Sequence, residues 1–196
     1  MKKITIALLG QPNSGKSTLF NGLTGSNQHV GNWPGKTVEK KEGEFSYKGT
    51  TYKIVDLPGA YGLSANSDEE VITREYIESG KADLIAIMAD ASQLNRSLFM
   101  LSDYIGINIP IVLIMNMMDV AKNQGKEINI NGLEKSLNIP VIPIVAADKK
   151  EYQELFAFLE HSDRGEILSD ENLERAYENI VGDNYKLLKK HIQERI

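Results

Sequence analysis

The sequence feature that most constrains the fold is a glycine-rich loop placed directly after an apolar run. Residues 3–10 are KITIALLG, and residues 10–17 are GQPNSGKS. The second stretch matches the P-loop pattern, and its place between a predicted strand and a predicted helix is the context that gives the pattern weight. A glycine-rich turn without a ligand is the alternative, but both glycines, the lysine and the serine stand in register. We therefore expect a nucleotide-binding domain.

Each residue type in this loop has a chemical reason to be there. Gly10 and Gly15 allow backbone N–H groups to wrap phosphates, and the amino end of the next helix adds positive potential. Lys16 would reach the β and γ phosphates, and the Ser17 hydroxyl would bind Mg²⁺. The predicted nucleotide-binding residues of the loop are Gly10, Asn13, Ser14, Gly15, Lys16, Ser17 and Thr18.

Apolar runs along the chain predict a mostly parallel sheet. After the first run at 3–10, others occupy 51–57, 83–90, 109–116 and 139–146. Their unbroken apolar character is typical of strands buried on both faces. Helical patterns alternate with them at 18–23, 68–79, 94–104, 131–137 and 152–159. The alternation predicts a doubly wound α/β domain with helices on both faces of the sheet.

Two local patterns refine this layout. Residues 37–57 form two strand patterns joined by Lys48-Gly49, which predicts a hairpin and an exposed antiparallel edge strand. The predicted sheet therefore has six strands. In NGLE, Asn131 is the predicted helix cap and Glu134 would reach back to it.

The last part of the chain predicts helices alone. We place the P-loop domain at 1–162 and an all-helical segment at 163–196, in which Ser169-Asp170-Glu171 opens a helix and Gly182 ends it. A further helix carries Tyr185, Leu188 and Ile192 and continues to the last residue. An amphipathic helix that ends without a cap indicates a fragment of something longer.

Composition excludes some partners. The 196 residues contain 22 Lys and Arg against 27 Asp and Glu, a net charge of −5, which argues against sequence-independent nucleic-acid binding. There is no cysteine, as suits a cytoplasmic protein. The longest apolar stretch, 107–118, is interrupted and shorter than the roughly 20 residues of a membrane helix.

Two short motifs behind the loop point to the nucleotide. In DLPG, Asp56 would hold Mg²⁺ through water and the Gly59 N–H would face the γ-phosphate. In NMMD, the Asp119 carboxylate could accept hydrogen bonds from guanine N1–H and the 2-amino group, a donor pair that adenine lacks. Each tetrapeptide alone is a common turn. Their order behind a P-loop gives them significance and favours GTP over ATP.

Together these motifs resemble the small GTPase superfamily, and the resemblance implies its Ras-like P-loop GTPase fold and its Mg²⁺ requirement. There are two departures. Met117 stands where the superfamily has lysine after Asn116, and Ala60 stands where it has the catalytic glutamine. Ala60 cannot orient a water molecule, so hydrolysis must use another group.

The motifs GQPNSGKST, VGNWPGKTVEKKEG, DLPGAYGL and NMMD together resemble the N-terminal GTPase domain of the ferrous-iron transport protein B (FeoB) family over residues 4–160. The most specific stretch is GNWPGKTVE. The resemblance implies that Thr37 of the first switch closes on Mg²⁺ and the γ-phosphate. It also makes Met117 an expected residue, assigns the base to Asn116 and Asp119, and places Ala146 and Ala147 in the base-contacting loop.

The resemblance also suggests a substitute for the missing glutamine. In such GTPases a P-loop asparagine, here Asn13, helps to bind K⁺, with backbone carbonyls corresponding to Gly31 and Trp33 completing the shell. A cation there would offset charge on the β–γ bridge. The predicted catalytic set is Lys16, Thr37, Gly59 and Asn13. Two alternatives stay open for the Trp33 side chain, packing that holds this loop in place or no role.

The function implied by the resemblance is a slow, K⁺-stimulated GTPase that regulates a ferrous-iron transporter. It would be the cytoplasmic domain of a prokaryotic plasma-membrane protein, joined to a permease in the same polypeptide, with a homo-oligomer possible and no nucleic-acid partner. The resemblance also implies that the all-helical segment 163–196 is a truncated part of a small helical domain that follows the GTPase domain. The alternatives are a GTP-dependent ribosome or tRNA assembly factor and a nucleotide switch with negligible turnover. The choice between K⁺ and Na⁺ is left open.

Overall fold

A seven-stranded sheet, counted over the described residues, forms the centre of the molecule. The structure is a computed structural model that describes residues 2–59, 63, 67–161 and 167–181. In chain order the strands are β1 (Lys2–Gly10), β2 (Gln28–Asn32), β3 (Glu39–Tyr47), β4 (Thr50–Asp56), β5 (Leu84–Asp90), β6 (Ile111–Asn116) and β7 (Val141–Pro143).

The sheet is mostly parallel, as predicted. The strand order is β2-β3-β4-β1-β5-β6-β7, and the pairs from β4 to β7 are parallel. β3 pairs antiparallel with β4, which confirms the predicted hairpin, and β2 pairs antiparallel with the outer side of β3. The sheet therefore has seven strands rather than six, and β2 rather than β3 forms the edge.

Polar and exposed residues explain why β2 was not predicted. Its sequence is QHVGN, and its one large apolar side chain, Val30, is 53% exposed. Backbone pairing with β3, and not burial, defines this strand.

The described helices cover both faces of the sheet. They are α1 (Lys16–Thr24), α2 (Asp68–Glu78), α3 (Leu94–Leu101), α4 (Met118–Asn123), α5 (Ile130–Leu137), α6 (Gln153–Glu160) and α7 (Asp170–Val181). Side chains alternate between two apolar cores along β1, with Ile6 on one face and Ala7 on the other. One core contains residues of α1 and α6, and the other contains residues of α2, α3, α5 and α7.

The cap of α5 differs from the prediction. Asn129, not Asn131, caps the helix, because the helix begins at Ile130 and the Asn129 side chain accepts a hydrogen bond from the Gly132 N–H at 2.9 Å. The Glu134 carboxylate accepts instead from the backbone N–H of Val141, at 2.9 Å. Glu134 thus ties α5 to the start of β7.

The first predicted helix of the C-terminal segment is present. α7 begins at Asp170, and the Ser169 hydroxyl accepts a hydrogen bond from the Asn172 N–H at 3.2 Å. Leu168, Leu173 and Ala176 are fully buried in the same core as α3 and α5. The predicted stop at Gly182 and the helix carrying Tyr185, Leu188 and Ile192 lie outside the described residues. In the part of the chain that is described, none of the helices combines the length and the apolarity that crossing a bilayer requires.

Candidate functional site

The P-loop lies at the carboxyl end of β1 and leads into α1. Asn13 and Gly15 have left-handed backbone conformations, with φ of 65° and 89°. A Cβ at Gly15 would lie 2.1 Å from the Asn116 side-chain nitrogen, and one at Gly10 would lie 2.6 Å from the Ser14 hydroxyl. Both glycines are therefore required by close approach, and Gly15 also by its positive φ.

A cavity of about 520 Å³ lies over this loop. Seven of the predicted site residues line it: Asn13, Gly15, Lys16, Ser17, Thr18, Gly59 and Met117. Residues from the P-loop, from DLPG and from NMMD thus meet at one place. The fold brings them together because the loops that carry them follow β1, β4 and β6 at the same edge of the sheet.

Lys16 and Asp56 are in direct contact. The Lys16 ammonium donates to the Asp56 carboxylate, and at 2.7 Å to the backbone carbonyl of Leu57. Asp56 is only 8% exposed, whereas the neighbouring Ser17 is exposed. A carboxylate and a hydroxyl are oxygen donors of the kind that Mg²⁺ prefers, so the side chains of Asp56 and Ser17 fit the predicted metal.

Asn116 joins the P-loop to the base loop, which we define as residues 145–148. Its side-chain nitrogen donates to the Ser14 carbonyl at 2.9 Å, and its side-chain oxygen accepts from the Ala146 N–H at 2.8 Å. Asn116 is 4% exposed, so both bonds are shielded from water. The structure thus places Asn116 between the two loops that the sequence assigned to phosphate and base.

The remaining predicted base residues lie beside this junction. Met117 has a left-handed backbone, with φ of 61°, and precedes α4. Asp119 is exposed in the first turn of α4. Ala146 is buried and Ala147 is exposed.

Sequence reasoning missed Tyr152 as a residue of this site. Its hydroxyl donates to the carbonyl of Ala146 at 2.7 Å, and the side chain is only 2% exposed. One sequence signal could have pointed to it. Gly22 lies inside the helical pattern of α1, where a glycine lowers helix stability, and a Cβ there would lie 2.2 Å from the Tyr152 hydroxyl oxygen.

The segment 28–38 does not reach the cavity. Gly31 pairs with Lys40 in the β2–β3 ladder, and the Trp33 carbonyl accepts a hydrogen bond from the Lys36 N–H at 3.0 Å. Thr37 is exposed in the loop before β3. No described residue that lines the cavity belongs to this segment. The predicted roles of Gly31, Trp33 and Thr37 therefore remain predictions.

The Trp33 side chain packs against α2. Its ring meets Tyr76 edge-on, with centroids 5.7 Å apart, and the Lys40 ammonium lies 5.0 Å from the ring centroid. Nearby, the Lys36 ammonium donates to the Asp68 carboxylate at 2.6 Å. Of the two alternatives for the Trp33 side chain, the structure supports packing.

Comparison with known proteins identifies the family of this chain. The family model described as "Ferrous iron transport protein B" matches residues 4–159, most of the chain. This chain belongs to the FeoB family. The Fe(2+) transporter FeoB of Escherichia coli K12 is 49% identical over 150 residues, and FeoB of Salmonella typhimurium LT2 is 47% identical. These alignments cover 74% of this chain but only 19% of each relative.

Solved structures of FeoB domains have the same fold. The G domain of T. maritima FeoB superposes with a TM-score of 0.77 at 40% identity, covering 83% of this chain and 99% of that domain. The apo cytosolic domain of T. maritima FeoB gives a TM-score of 0.78 at 33% identity, and the match covers 98% of this chain and 86% of that domain. A mutant of S. thermophilus NFeoB, solved with GDP bound, gives a TM-score of 0.78 at 31% identity, and the match covers 97% of this chain and 86% of that protein. This chain therefore has the P-loop GTPase fold of the FeoB G domain.

Proposed function

We propose that this chain binds and hydrolyses GTP as the regulatory domain of a ferrous-iron transporter. The observation that carries the proposal is the junction at Asn116, where one buried side chain holds both the P-loop and the base loop. A site for guanine nucleotide needs those two loops at a fixed separation. Membership of the FeoB family and the GDP bound to the S. thermophilus relative support the same choice of ligand.

The phosphate half of the site is formed by the P-loop and its neighbours. Lys16 and the loop N–H groups bind the phosphates, while Ser17, Thr37 and Asp56 are the proposed Mg²⁺ ligands. Mg²⁺, when bound, neutralises charge on the phosphate oxygens. The contact between Lys16 and Asp56 supports this arrangement, because the cation proposed for the phosphates and the carboxylate proposed for Mg²⁺ are neighbours.

The base half is formed at the ends of β6 and β7. The Asp119 carboxylate selects guanine, and Asn116, Met117, Ala146 and Ala147 complete the base site. The two hydrogen bonds of Asn116 support a further role for it, because they fix the loops rather than point at a ligand.

Hydrolysis without a catalytic glutamine is the part of the proposal that needs K⁺. Ala60 lies outside the described residues. Asn13 lines the cavity and supplies an amide oxygen, a donor suited to a hard cation. The carbonyls of Gly31 and Trp33 lie in the β2–β3 ladder and in the turn that follows, so their participation requires segment 28–38 to rearrange.

The length of the relatives supports a proposal for the rest of the protein. Because the chain matches only 19% of the E. coli transporter, we propose that a membrane permease forms the rest of the same polypeptide and that this domain faces the cytoplasm. A homo-oligomer around the transport path would fit this setting. Closure of the loops on nucleotide would then signal through the C-terminal helices.

The test is GTP hydrolysis in K⁺ against the same concentration of Na⁺. We expect faster turnover in K⁺, with the acceleration lost in Asn13→Ala and nucleotide binding lost in the control variant Lys16→Ala. Equal rates in both salts would overturn the K⁺ mechanism, and absent turnover with intact binding would favour the nucleotide switch. Binding that survives in Lys16→Ala would refute the phosphate site itself.

A further inference from the structure

The hydroxyl of Tyr152 lies at a point where three parts of the site meet. It donates to the Ala146 carbonyl at 2.7 Å, on the opposite side of that residue from the Asn116 bond to its N–H. Ala146 is thus held through both of its backbone polar groups by side chains from two different parts of the fold. Burial raises the pKa of the Tyr152 phenol, so the hydroxyl keeps its proton and remains a donor at neutral pH.

The same hydroxyl lies against α1. A Cβ placed on Gly22 would lie 2.2 Å from the Tyr152 hydroxyl oxygen and 3.0 Å from the ring carbon that carries it. The absence of a side chain at Gly22 therefore makes room for the hydroxyl. Because α1 begins at Lys16, the hydroxyl lies between the base loop and the helix that carries the phosphate-binding lysine.

The segment between Ala146 and Tyr152 is short and internally hydrogen-bonded. The Asp148 N–H donates to the Val145 carbonyl at 2.8 Å, and the Asp148 carboxylate caps the 3₁₀ turn Lys149–Tyr152 by accepting from the Lys150 N–H at 3.0 Å. The base loop and the residue that holds it therefore form one hydrogen-bonded unit.

We propose that Tyr152 is a positioning residue for guanine recognition, which acts by fixing the base loop relative to α1. This inference rests on the proposed function, because it takes residues 145–148 as the loop that contacts the base. Tyr152 touches the loop backbone and not the ligand. Loss of its hydroxyl would leave the chain folded but let the base loop shift, so that bound guanine nucleotide leaves faster.

The chain offers a matched control for this substitution. The Tyr52 hydroxyl donates to the Leu159 carbonyl at 2.8 Å, and Tyr52 is also 2% exposed. Tyr52→Phe therefore removes the same kind of buried hydrogen bond in the same core, but the bond it removes ties β4 to the end of α6 and not to the base loop.

The experiment measures GDP dissociation and thermal unfolding for the wild type, Tyr152→Phe and Tyr52→Phe. We expect both variants to lose similar stability, whereas only Tyr152→Phe releases GDP faster, by roughly two- to tenfold, the effect of one net hydrogen bond. Unchanged GDP release in Tyr152→Phe, or equal acceleration in both variants, would overturn the inference. Failure of the wild type to bind GDP would instead refute the proposed function.

A second variant tests the contact with α1. Gly22→Ala places a methyl group against the Tyr152 hydroxyl, so we expect it to accelerate GDP release in the wild-type background. In a Tyr152→Phe background the hydroxyl is gone, and the added effect of Gly22→Ala should be smaller. An equal effect of Gly22→Ala in the two backgrounds would show that the glycine does not act through Tyr152 and would overturn the proposed mechanism.

Discussion

Gly15 lies where the P-loop turns into α1, and a side chain there would meet two obstacles. Its φ of 89° is in the left-handed region, which costs a residue with a Cβ about 1 to 2 kcal/mol. The added Cβ would also lie 2.1 Å from the Asn116 side-chain nitrogen that donates to Ser14. A methyl group at this one position therefore strains the loop and displaces the side chain that joins the two halves of the site.

We predict that Gly15→Ala weakens GDP binding by at least tenfold and lowers the free energy of unfolding by about 1 to 3 kcal/mol. The control is Gly80→Ala, because Gly80 has a similar φ of 67° but a methyl group there would have no neighbouring atom within 4 Å. It should lose stability without losing affinity. Calorimetric titration and chemical denaturation measure the two quantities, and equal GDP affinities in the two variants would contradict the prediction.

At the residue scale the sequence predicted what a motif encodes. Lys16, Ser17 and Gly59 line the cavity because their spacing determines their place relative to two strands. Tyr152 could not be found in this way. Its hydroxyl bonds to the backbone carbonyl of Ala146, which every residue type has, so the contact produces no sequence motif.

The segment 33–40 and helix α2 form a contact between elements, made by one aromatic pair and one ion pair. Trp33 packs edge-on against Tyr76, a type of contact that contributes about 0.5 to 1.5 kcal/mol. Burial raises the pKa of Tyr76 to about 12, so the phenol stays neutral at physiological pH and the contact does not vary with pH there. The Lys36–Asp68 pair is largely exposed, so water and salt weaken it. The aromatic pair is therefore the stronger contact.

We predict that the emission of Trp33 reports this contact. The sequence has one tryptophan, so emission comes from one ring. Tyr76→Ala should shift the emission to longer wavelength, because the Trp33 ring becomes more exposed to water. Asp68→Asn, which keeps the aromatic pair, should leave the emission nearly unchanged, as should high salt. A larger shift in Asp68→Asn than in Tyr76→Ala would show that the ion pair dominates.

At the element scale, burial separates the successful predictions from the incorrect ones. Strands such as β5 are buried along most of their length, so their apolar runs were visible in the sequence. β2 is held by its pairing with β3, which depends on residues about ten positions away, and no apolar run marks it.

The cap of α5 was misplaced by two residues because Asn129 and Asn131 are both good capping residues, and only the start at Ile130 distinguishes them.

At the scale of the whole molecule, α7 packs on the GTPase fold. Leu168, Leu173 and Ala176 are fully buried among residues of α3 and α5, and the Gly106 N–H donates to the Leu168 carbonyl at 3.3 Å. The described part of the predicted segment 163–196 thus shares a core with the predicted domain 1–162. Any movement of α3 or α5 would therefore act directly on α7.

We predict that Leu173→Ala lowers the free energy of unfolding by about 2 to 5 kcal/mol, the usual effect of truncating a fully buried leucine. Ile167 is 45% exposed, so Ile167→Ala is the matched control and should change stability little. Chemical denaturation with GDP absent measures both. Similar losses in the two variants would mean that α7 does not share the core in solution.

The strand order has a consequence for the way the protein is made. Of the described strands, β1 is synthesised before the others, yet in the sheet it lies between β4 and β5, so it cannot be enclosed until residue 90 has been added. The P-loop cannot accept its hydrogen bond from Asn116 until that residue has been synthesised, and the base loop cannot accept its bond from Tyr152 until that residue follows. Because such non-local pairings must precede the finished site, the P-loop is among the last parts to take its final shape, although it is synthesised before Asn116 and Tyr152.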